Sequence, residues 1–240
     1  MSESIIQHSL TDDTPLNRGM QALIRRWRHT LAAGNRRIGW KMAFVTKADQ
    51  FRLQLSAPLV GFLTSDRLLS TGCVYTLKEG ATTMVEAEIG IVLGHDVPPG
   101  TVREKASSAI EAFAPALELI DVTSPSSDIE EMIGGNLFHE AVAFGAEIPA
   151  MGNSSMREIS ARVLKNGVEA CVGDPSRIPN DLGELVSLVA DTLGQHGECL
   201  RKGDRIISGS ITKQMRVSPA DDVVVDLGAL GQISIQFAAG

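Results

Sequence analysis

Ten consecutive residues, Met84-Val85-Glu86-Ala87-Glu88-Ile89-Gly90-Ile91-Val92-Leu93, read as a β-strand that is apolar on both faces yet carries two carboxylates. Period-two alternation puts Val85, Ala87, Ile89, Ile91 and Leu93 on one face and Met84, Glu86, Glu88, Gly90 and Val92 on the other. Such a run belongs in the interior of a sheet system. Two carboxylates at i and i+2 in those surroundings repel each other, so either one takes up a proton or a cation sits between them. The plainer alternative is a half-buried strand with both glutamates in solvent. Met84 and Val92, which bracket the acids on their own face, weigh against it.

A second apolar run, Ala114-Pro115-Ala116-Leu117-Glu118-Leu119-Ile120-Asp121-Val122, again encloses a carboxylate, with Glu118 on the face of Ala116 and Ile120. With oxygen donors only, and no Cys or His at ligand spacing, the fitting ions are hard ones: Mg²⁺, Mn²⁺ or Ca²⁺. His95 follows Glu88 closely, but Gly94-His95-Asp96 reads as the turn that ends the strand. Lys41 is the third informative residue, because the rest of Ile38-Gly39-Trp40-Lys41-Met42-Ala43-Phe44 is apolar or small. It either snorkels past Trp40 or pairs with an acid, or its ammonium faces the acidic site and handles charge and protons there.

The chain has 240 residues, 43% of them hydrophobic, enough for one sizeable domain. Helical spacing of Leu16, Met20, Leu23, Trp27 and Leu31 behind Thr14-Pro15 predicts a helix that stops at Gly34. Further helices are expected near 101–112 and from the Asp181-x-x-Glu184 capping box to Gly194. Strands are expected at 37–44, 83–93, 114–122, 139–145, 204–209, 214–218, 222–226 and 231–237. Strands predominate without alternating with helices, so the fold class is α+β with a mostly antiparallel sheet system. The chain divides into an N-terminal helical segment, 1–36, and a single compact unit, 37–240.

A net charge of -7 and a pI near 5.3 give no steering toward nucleic acid or anionic membrane. Arg18, Arg25, Arg26 and Arg28 on the first helix, with Arg36 and Arg37 after it, have no interleaved aromatic residues and read as a solvated face. Cys73, Cys171 and Cys199 lack C-x-x-C spacing and are expected as buried thiols. Residues 1–13 show no secretory apolar core, and no run approaches ~18 apolar residues, so a cytoplasmic location is expected.

Gly39-Trp40-Lys41-Met42, Val85-Glu86-Ala87-Glu88-Ile89, Ala114-Pro115-Ala116-Leu117-Glu118 and Gly203-Asp204-Arg205-Ile206-Ile207-Ser208-Gly209-Ser210 stand in an order and spacing that resemble the fumarylacetoacetate hydrolase superfamily. The likeness is to its branch of 2-keto-4-pentenoate (2-hydroxypentadienoate) hydratases and 4-oxalocrotonate decarboxylases. It implies a mixed β-roll core and Mg²⁺ or Mn²⁺ held by Glu86, Glu88 and Glu118. It also implies Lys41 as catalytic acid/base and Ser208-Gly209-Ser210 beside a small 2-oxo or enol carboxylate.

Two departures from that pattern bear on the substrate. Pro58-Leu59-Val60-Gly61 lacks an acid, and Gly135-Asn136-Leu137-Phe138-His139 replaces an Asp-Asn-x-Ser segment. Leu59, Asn136, Phe138 and His139 become substrate-site candidates, His139 as a substitute proton shuttle. Leu59, Leu137 or Phe138 would favour an apolar substrate tail. The resemblance implies a metal-dependent lyase that hydrates a 2-hydroxy-2,4-dienoate in aromatic-compound catabolism. The alternatives are a decarboxylase, an acylpyruvate C-C hydrolase, or a non-catalytic binder with the same fold. A homo-oligomer without nucleic-acid or membrane partners is expected.

Overall fold

The computed structural model describes residues 13–150, 159–174, 176–177, 179 and 181–240. Its first element is helix α1 (Pro15–Ala32), capped by Thr14, whose side chain accepts from the Asn17 backbone N–H. Met20, Leu23, Ile24 and Trp27 form the buried face of α1, which packs on a later helix and joins the main core. Then come β1 (Arg37–Ala43), α2 (Lys47–Arg52), β2 (Leu59–Thr64), β3 (Leu68–Leu69), β4 (Cys73–Leu77) and β5 (Thr83–Leu93). They are followed by α3 (Arg103–Ser108), β6 (Ile110–Asp121), α4 (Ile129–Gly134), β7 (His139–Phe144) and β8 (Ile148–Pro149). The last part holds β9 (Arg162–Lys165), β10 (Val168–Val172), α5 (Leu182–Gly194), β11 (Arg205–Ile207), β12 (Met215–Arg216), β13 (Asp222–Asp226) and β14 (Gln232–Ala239).

These strands make two mixed, mostly antiparallel sheets with few helices, in keeping with the α+β class. The larger has the order β2-β1-β11-β5-β6-β7-β3, with β12 also on β5 and β8 on β6. The smaller runs β10-β9-β13-β14-β4. Most pairings are antiparallel; β1–β11, β3–β7 and β4–β14 are parallel. Val85, Ala87, Ile89, Ile91 and Leu93, the expected apolar face of β5, all lie in the main core.

The helix expected at 101–112 is corrected. It is helical only over Arg103–Ser108, because from Ile110 the backbone pairs with β5, beginning at Leu93. The strand expected at 204–209 stops at Ile207, since the next residues turn away to bond elsewhere on β5. β12 is likewise shorter than expected. The three cysteines are free but half-buried rather than buried.

Three of the arginines on and after α1 serve the fold. Arg18 reaches Glu130 on α4, and Arg28 reaches Glu198. Arg37 pairs with buried Asp204 and lies 5.5 Å from the Trp27 ring centroid and 5.3 Å from that of Trp40. No helix among the described residues is long and apolar enough to cross a membrane.

Candidate metal centre and substrate cavity

The β5–β6 register places Glu86 directly opposite Glu118, and Glu88 opposite Ala116. Alternation therefore gathers three carboxylates on one sheet face, and Ala116 leaves space beside Glu88. Burial is severe: Glu86 is 9% exposed, Glu88 and Glu118 0%, and Lys41 2%. Lys41 comes from β1, separated from β6 by β11 and β5. At about 4.8 Å per strand a flat sheet would hold them some 14 Å apart. The long Lys41 side chain and that of Glu118 span most of this distance from the same sheet face, and the twist of the sheet lets their tips meet at 2.5 Å, Lys41 Nζ to Glu118 Oε1.

Each glutamate has one oxygen anchored. Glu118 Oε1 accepts from Lys41 and from His139 Nδ1 at 2.6 Å. Glu88 Oε2 accepts from the Gly209 N–H at 2.7 Å, and Glu86 Oε1 from Gln214 Nε2 at 2.7 Å. Gly209 has φ of +88°, which suits glycine and turns its N–H onto Glu88. Of the three remaining oxygens, Glu88 Oε1 and Glu118 Oε2 are buried with no partner among the described residues. One ligand oxygen from each of the three carboxylates lies within 4.8 Å of the others.

Electrostatics makes the same demand for a cation. Burial, then the Glu118 charge, pushes Glu86 up to about 7, and burial with the Glu118 and Glu86 charges raises Glu88 well above the usual carboxylate range. Burial alone would raise Glu118 too, but Lys41 and His139 outweigh it and hold that carboxyl down at about 2. Orphaned oxygens, an all-carboxylate donor set and mutual repulsion fit a hard divalent ion such as Mg²⁺. Burial lowers His139 against the opposing pull of Glu118; its Nδ1 faces Glu118 Oε1, and its Nε2 is buried without a partner among the described residues.

A cavity of about 670 Å³ opens beside this cluster, lined by Lys41, Glu86 and Ser210 and walled by apolar residues that include Met132, Leu137 and Phe138. Three of its lining residues, Phe44, Leu137 and Phe138, have left-handed φ values of 56°, 55° and 64°, and Asn136 has 67°. Each such non-glycine residue costs about 1–2 kcal/mol. The 136–138 run is held by Asn136, whose side chain accepts from Phe62 N–H (2.8 Å) and donates to Phe62 C=O (3.0 Å). In exchange, the Leu137 carbonyl is presented to Lys41 Nζ at 3.2 Å.

The sequence-stated candidates thus separate. Glu86, Glu88, Glu118, Lys41 and His139 lie together, and Phe138 and Ser210 line the cavity. Leu59 requires correction: it pairs with Ala43 and packs at 4% exposure in the main core, outside the cavity lining. Asn136 is a latch on β2, not a cavity-lining group. Ser208 accepts from Ile89 N–H and donates to the Gly209 carbonyl, so with Gly209 it holds β5 and Glu88. Gln214 and the Leu137 carbonyl escaped sequence reasoning. A glutamine two residues before an exposed arginine carries no local signal; only the β12–β5 register sets it against Glu86.

Comparison with known proteins agrees with this geometry. The family model described as fumarylacetoacetate (FAA) hydrolase C-terminal matches residues 40–238. The 2-hydroxyhexa-2,4-dienoate hydratase of Comamonas testosteroni is 28% identical over 211 residues, covering 86% of this chain and 80% of its own. The 4-oxalocrotonate decarboxylase of Pseudomonas putida is 25% identical over 236 residues, covering 96% and 89%. The 2-oxo-hept-4-ene-1,7-dioate hydratase of Escherichia coli is 28% identical over 226 residues, covering 90% and 85%. In fold, the chain is similar to 4-oxalocrotonate decarboxylase from Pseudomonas putida G7 complexed with magnesium and adipate, with a TM-score of 0.85 at 24% identity over 94% of this chain and 87% of that one. The chain belongs to the fumarylacetoacetate hydrolase C-terminal family.

Proposed function

We propose that this protein is a divalent-metal-dependent lyase that adds water to a 2-hydroxy-2,4-dienoate to give a 4-hydroxy-2-oxo acid. The observation that carries the proposal is the set of three buried glutamates, two with unpartnered oxygens, set beside Lys41 at the wall of one cavity. The hydratase names among its relatives support the same chemistry. Glu86, Glu88 and Glu118 would hold Mg²⁺ or Mn²⁺, which when bound supplies a positive charge for the substrate's carboxylate and 2-oxygen.

Lys41 offers a cation to the same end of the substrate and passes a proton to or from the 2-oxygen. The dienol loses its hydroxyl proton and gains one at C5, which gives a 2-oxo-3-enoate; water then adds across C3 and C4, hydroxyl at C4 and hydrogen at C3. Leu137, Phe138 and Met132 shield the diene from bulk water, and Ser210 offers a hydroxyl on the cavity wall. His139 orients Glu118 instead of shuttling protons to the substrate. A cytoplasmic homo-oligomer is part of the proposal, and light scattering tests the assembly.

The test is turnover of 2-hydroxy-2,4-hexadienoate with Mg²⁺, followed by loss of dienol absorbance and by released CO₂ from 4-oxalocrotonate. Hydration without CO₂ is expected. Stoichiometric CO₂, with no hydration of the monoacid, would replace the hydratase by a decarboxylase at the same site. Loss of turnover on removing the metal is also expected; activity that survives chelation overturns the metal-dependent mechanism.

A further inference from the structure

The metal cluster and Lys41 are closely balanced in charge. Three glutamates carry three negative charges, and a divalent ion together with the Lys41 ammonium offsets them in full. A substrate's first carboxylate therefore meets that ion and lysine without any further cation being needed. Yet the cavity is lined by three more cations, each from a different part of the chain: Arg52 at the end of α2, Arg177 between β10 and α5, and Lys213 before β12. Among the described residues, Asp49 is the one acid lining the cavity outside the metal cluster, and it is within 3.1 Å of Arg52. Arg177 has only a loose contact, 3.7 Å, with Asp174. Lys213 has no hydrogen bond or salt bridge among the described residues; the acid it feels is Asp174, which it shares with Arg177.

Three chain segments thus bring an excess of positive charge to a cavity whose middle is apolar. Asp49 and Asp174 offset part of that charge, and an alkyl substrate tail would leave the excess without a counter-charge. A tail that ends in an anion would match it, and guanidinium groups suit a carboxylate. A volume of about 670 Å³ is in the range of sites for ligands well above a five-carbon acid in size.

From this the geometry points to a dianionic substrate, a 2-oxo or enol acid of six or more carbons with a second carboxylate at its far end, held by Arg177 and Lys213 with Arg52 at their side. This replaces the apolar tail expected from the sequence: Leu137 and Phe138 contact the chain's middle, not its terminus. The inference rests on the reaction proposed above, since it takes the first carboxylate to lie at the metal and Lys41.

The experiment is calorimetric binding to the Mg²⁺-loaded protein of three non-reacting ligands: pyruvate, 2-oxohexanoate and 2-oxohexanedioate. The two six-carbon acids differ only in the distal carboxylate. We expect 2-oxohexanedioate to bind about tenfold or more tightly than 2-oxohexanoate, a preference that shrinks at about 1 M salt, where the screening length falls to about 3 Å. Arg177→Met and Lys213→Met should each reduce the preference while pyruvate binds as it does to the parent, which also reports that the variants are folded. Equal or tighter binding of 2-oxohexanoate, with pyruvate still bound, overturns the inference and leaves the proposed reaction standing. A preference that survives both substitutions overturns the assignment to these residues. Failure to bind pyruvate at all overturns the proposed reaction and, with it, this inference.

Discussion

Lys41 Nζ lies 2.5 Å from Glu118 Oε1, although β1 and β6 are separated by two other strands of the sheet. Both groups are almost wholly excluded from water. The pair therefore ties together strands β1 and β6, the ionisation of Glu118 and the position of the ammonium at the cavity wall. Breaking it from either side has different consequences, which makes the arrangement testable.

Glu118→Gln leaves the Lys41 ammonium buried beside a neutral amide. Removing one member of a buried pair costs about 3–5 kcal/mol, so a drop of that size in urea unfolding is expected for the metal-free protein. Glu88→Gln should cost only about 1 kcal/mol, since burial and the Glu118 and Glu86 charges disfavour the ionised form there and an amide oxygen still accepts from Gly209. Both variants should lose Mg²⁺ binding in calorimetry. Equal stability losses would mean that Lys41 does not depend on Glu118 for its charge.

The pH dependence of the metal-free protein follows from the same cluster. Glu86 is raised from 4.5 to about 7, so its contribution to stability is fully present below its ordinary value and is lost as pH rises through about 7. Glu88 shifts the same way. Glu118 is lowered to about 2, so its contribution is present above the ordinary carboxylate range and is lost only as pH falls through about 2. In chelator, the melting temperature should therefore fall from about pH 5 to about pH 8, and Mg²⁺ should remove most of that fall. Binding near neutral pH should release protons, seen as a buffer-dependent enthalpy. A flat profile in chelator would show that the carboxylates do not repel each other as their spacing requires.

Lys41→Met keeps the stem and removes the charge. It frees Glu118 Oε1 of one partner, so affinity for Mg²⁺ should change little or rise, whereas turnover should fall by about 10²–10⁴-fold. The two effects separate a lysine that acts on substrate from one that merely holds a metal ligand. Parent-like kcat would remove Lys41 from the chemistry; a loss of metal binding as large as the loss of turnover would reduce it to a structural role.

The core of this site was legible because β5 and β6 combine period two with apolar neighbours, and a carboxylate stranded in such a pattern advertises itself. The helices opened by Thr14-Pro15 and Asp181 were legible from their caps. β2 was not read as a strand, because Leu59–Thr64 is buried at every position and so has no alternation to detect. β4 and β10 failed for the opposite reason, as strands with much of their length exposed. α4 was missed because six residues are too few to show a helical period. Asn136 and His139 were noticed, but not their partners: Asn136 bonds the Phe62 backbone and His139 bonds Glu118. Local sequence cannot say which distant segment a polar side chain will meet. The rim cations went unread for the same reason.

Gly61 supplies the last test, because it stands opposite Lys41 on β2. A Cβ built there would lie 2.7 Å from Asn136 Oδ1 and 2.8 Å from Lys41 Cγ. Asn136 cannot easily retreat, since its amide is bonded to both polar groups of the Phe62 backbone and fixes the left-handed 136–138 run. Gly61→Ala should therefore destabilise the protein by about 1–3 kcal/mol. It should also lower kcat by displacing both the Lys41 stem and the Leu137 carbonyl that receives its ammonium, with Mg²⁺ affinity near the parent's. Gly72→Ala is the control: it strains a left-handed position, φ 74°, which Gly61 does not occupy, but nothing lies within 4 Å of the added methyl. It should cost about 1–2 kcal/mol of stability and leave kcat unchanged. A Gly61→Ala protein with parent-like kcat would show that Lys41 works without being held by the packing of β2 and Asn136 around its stem.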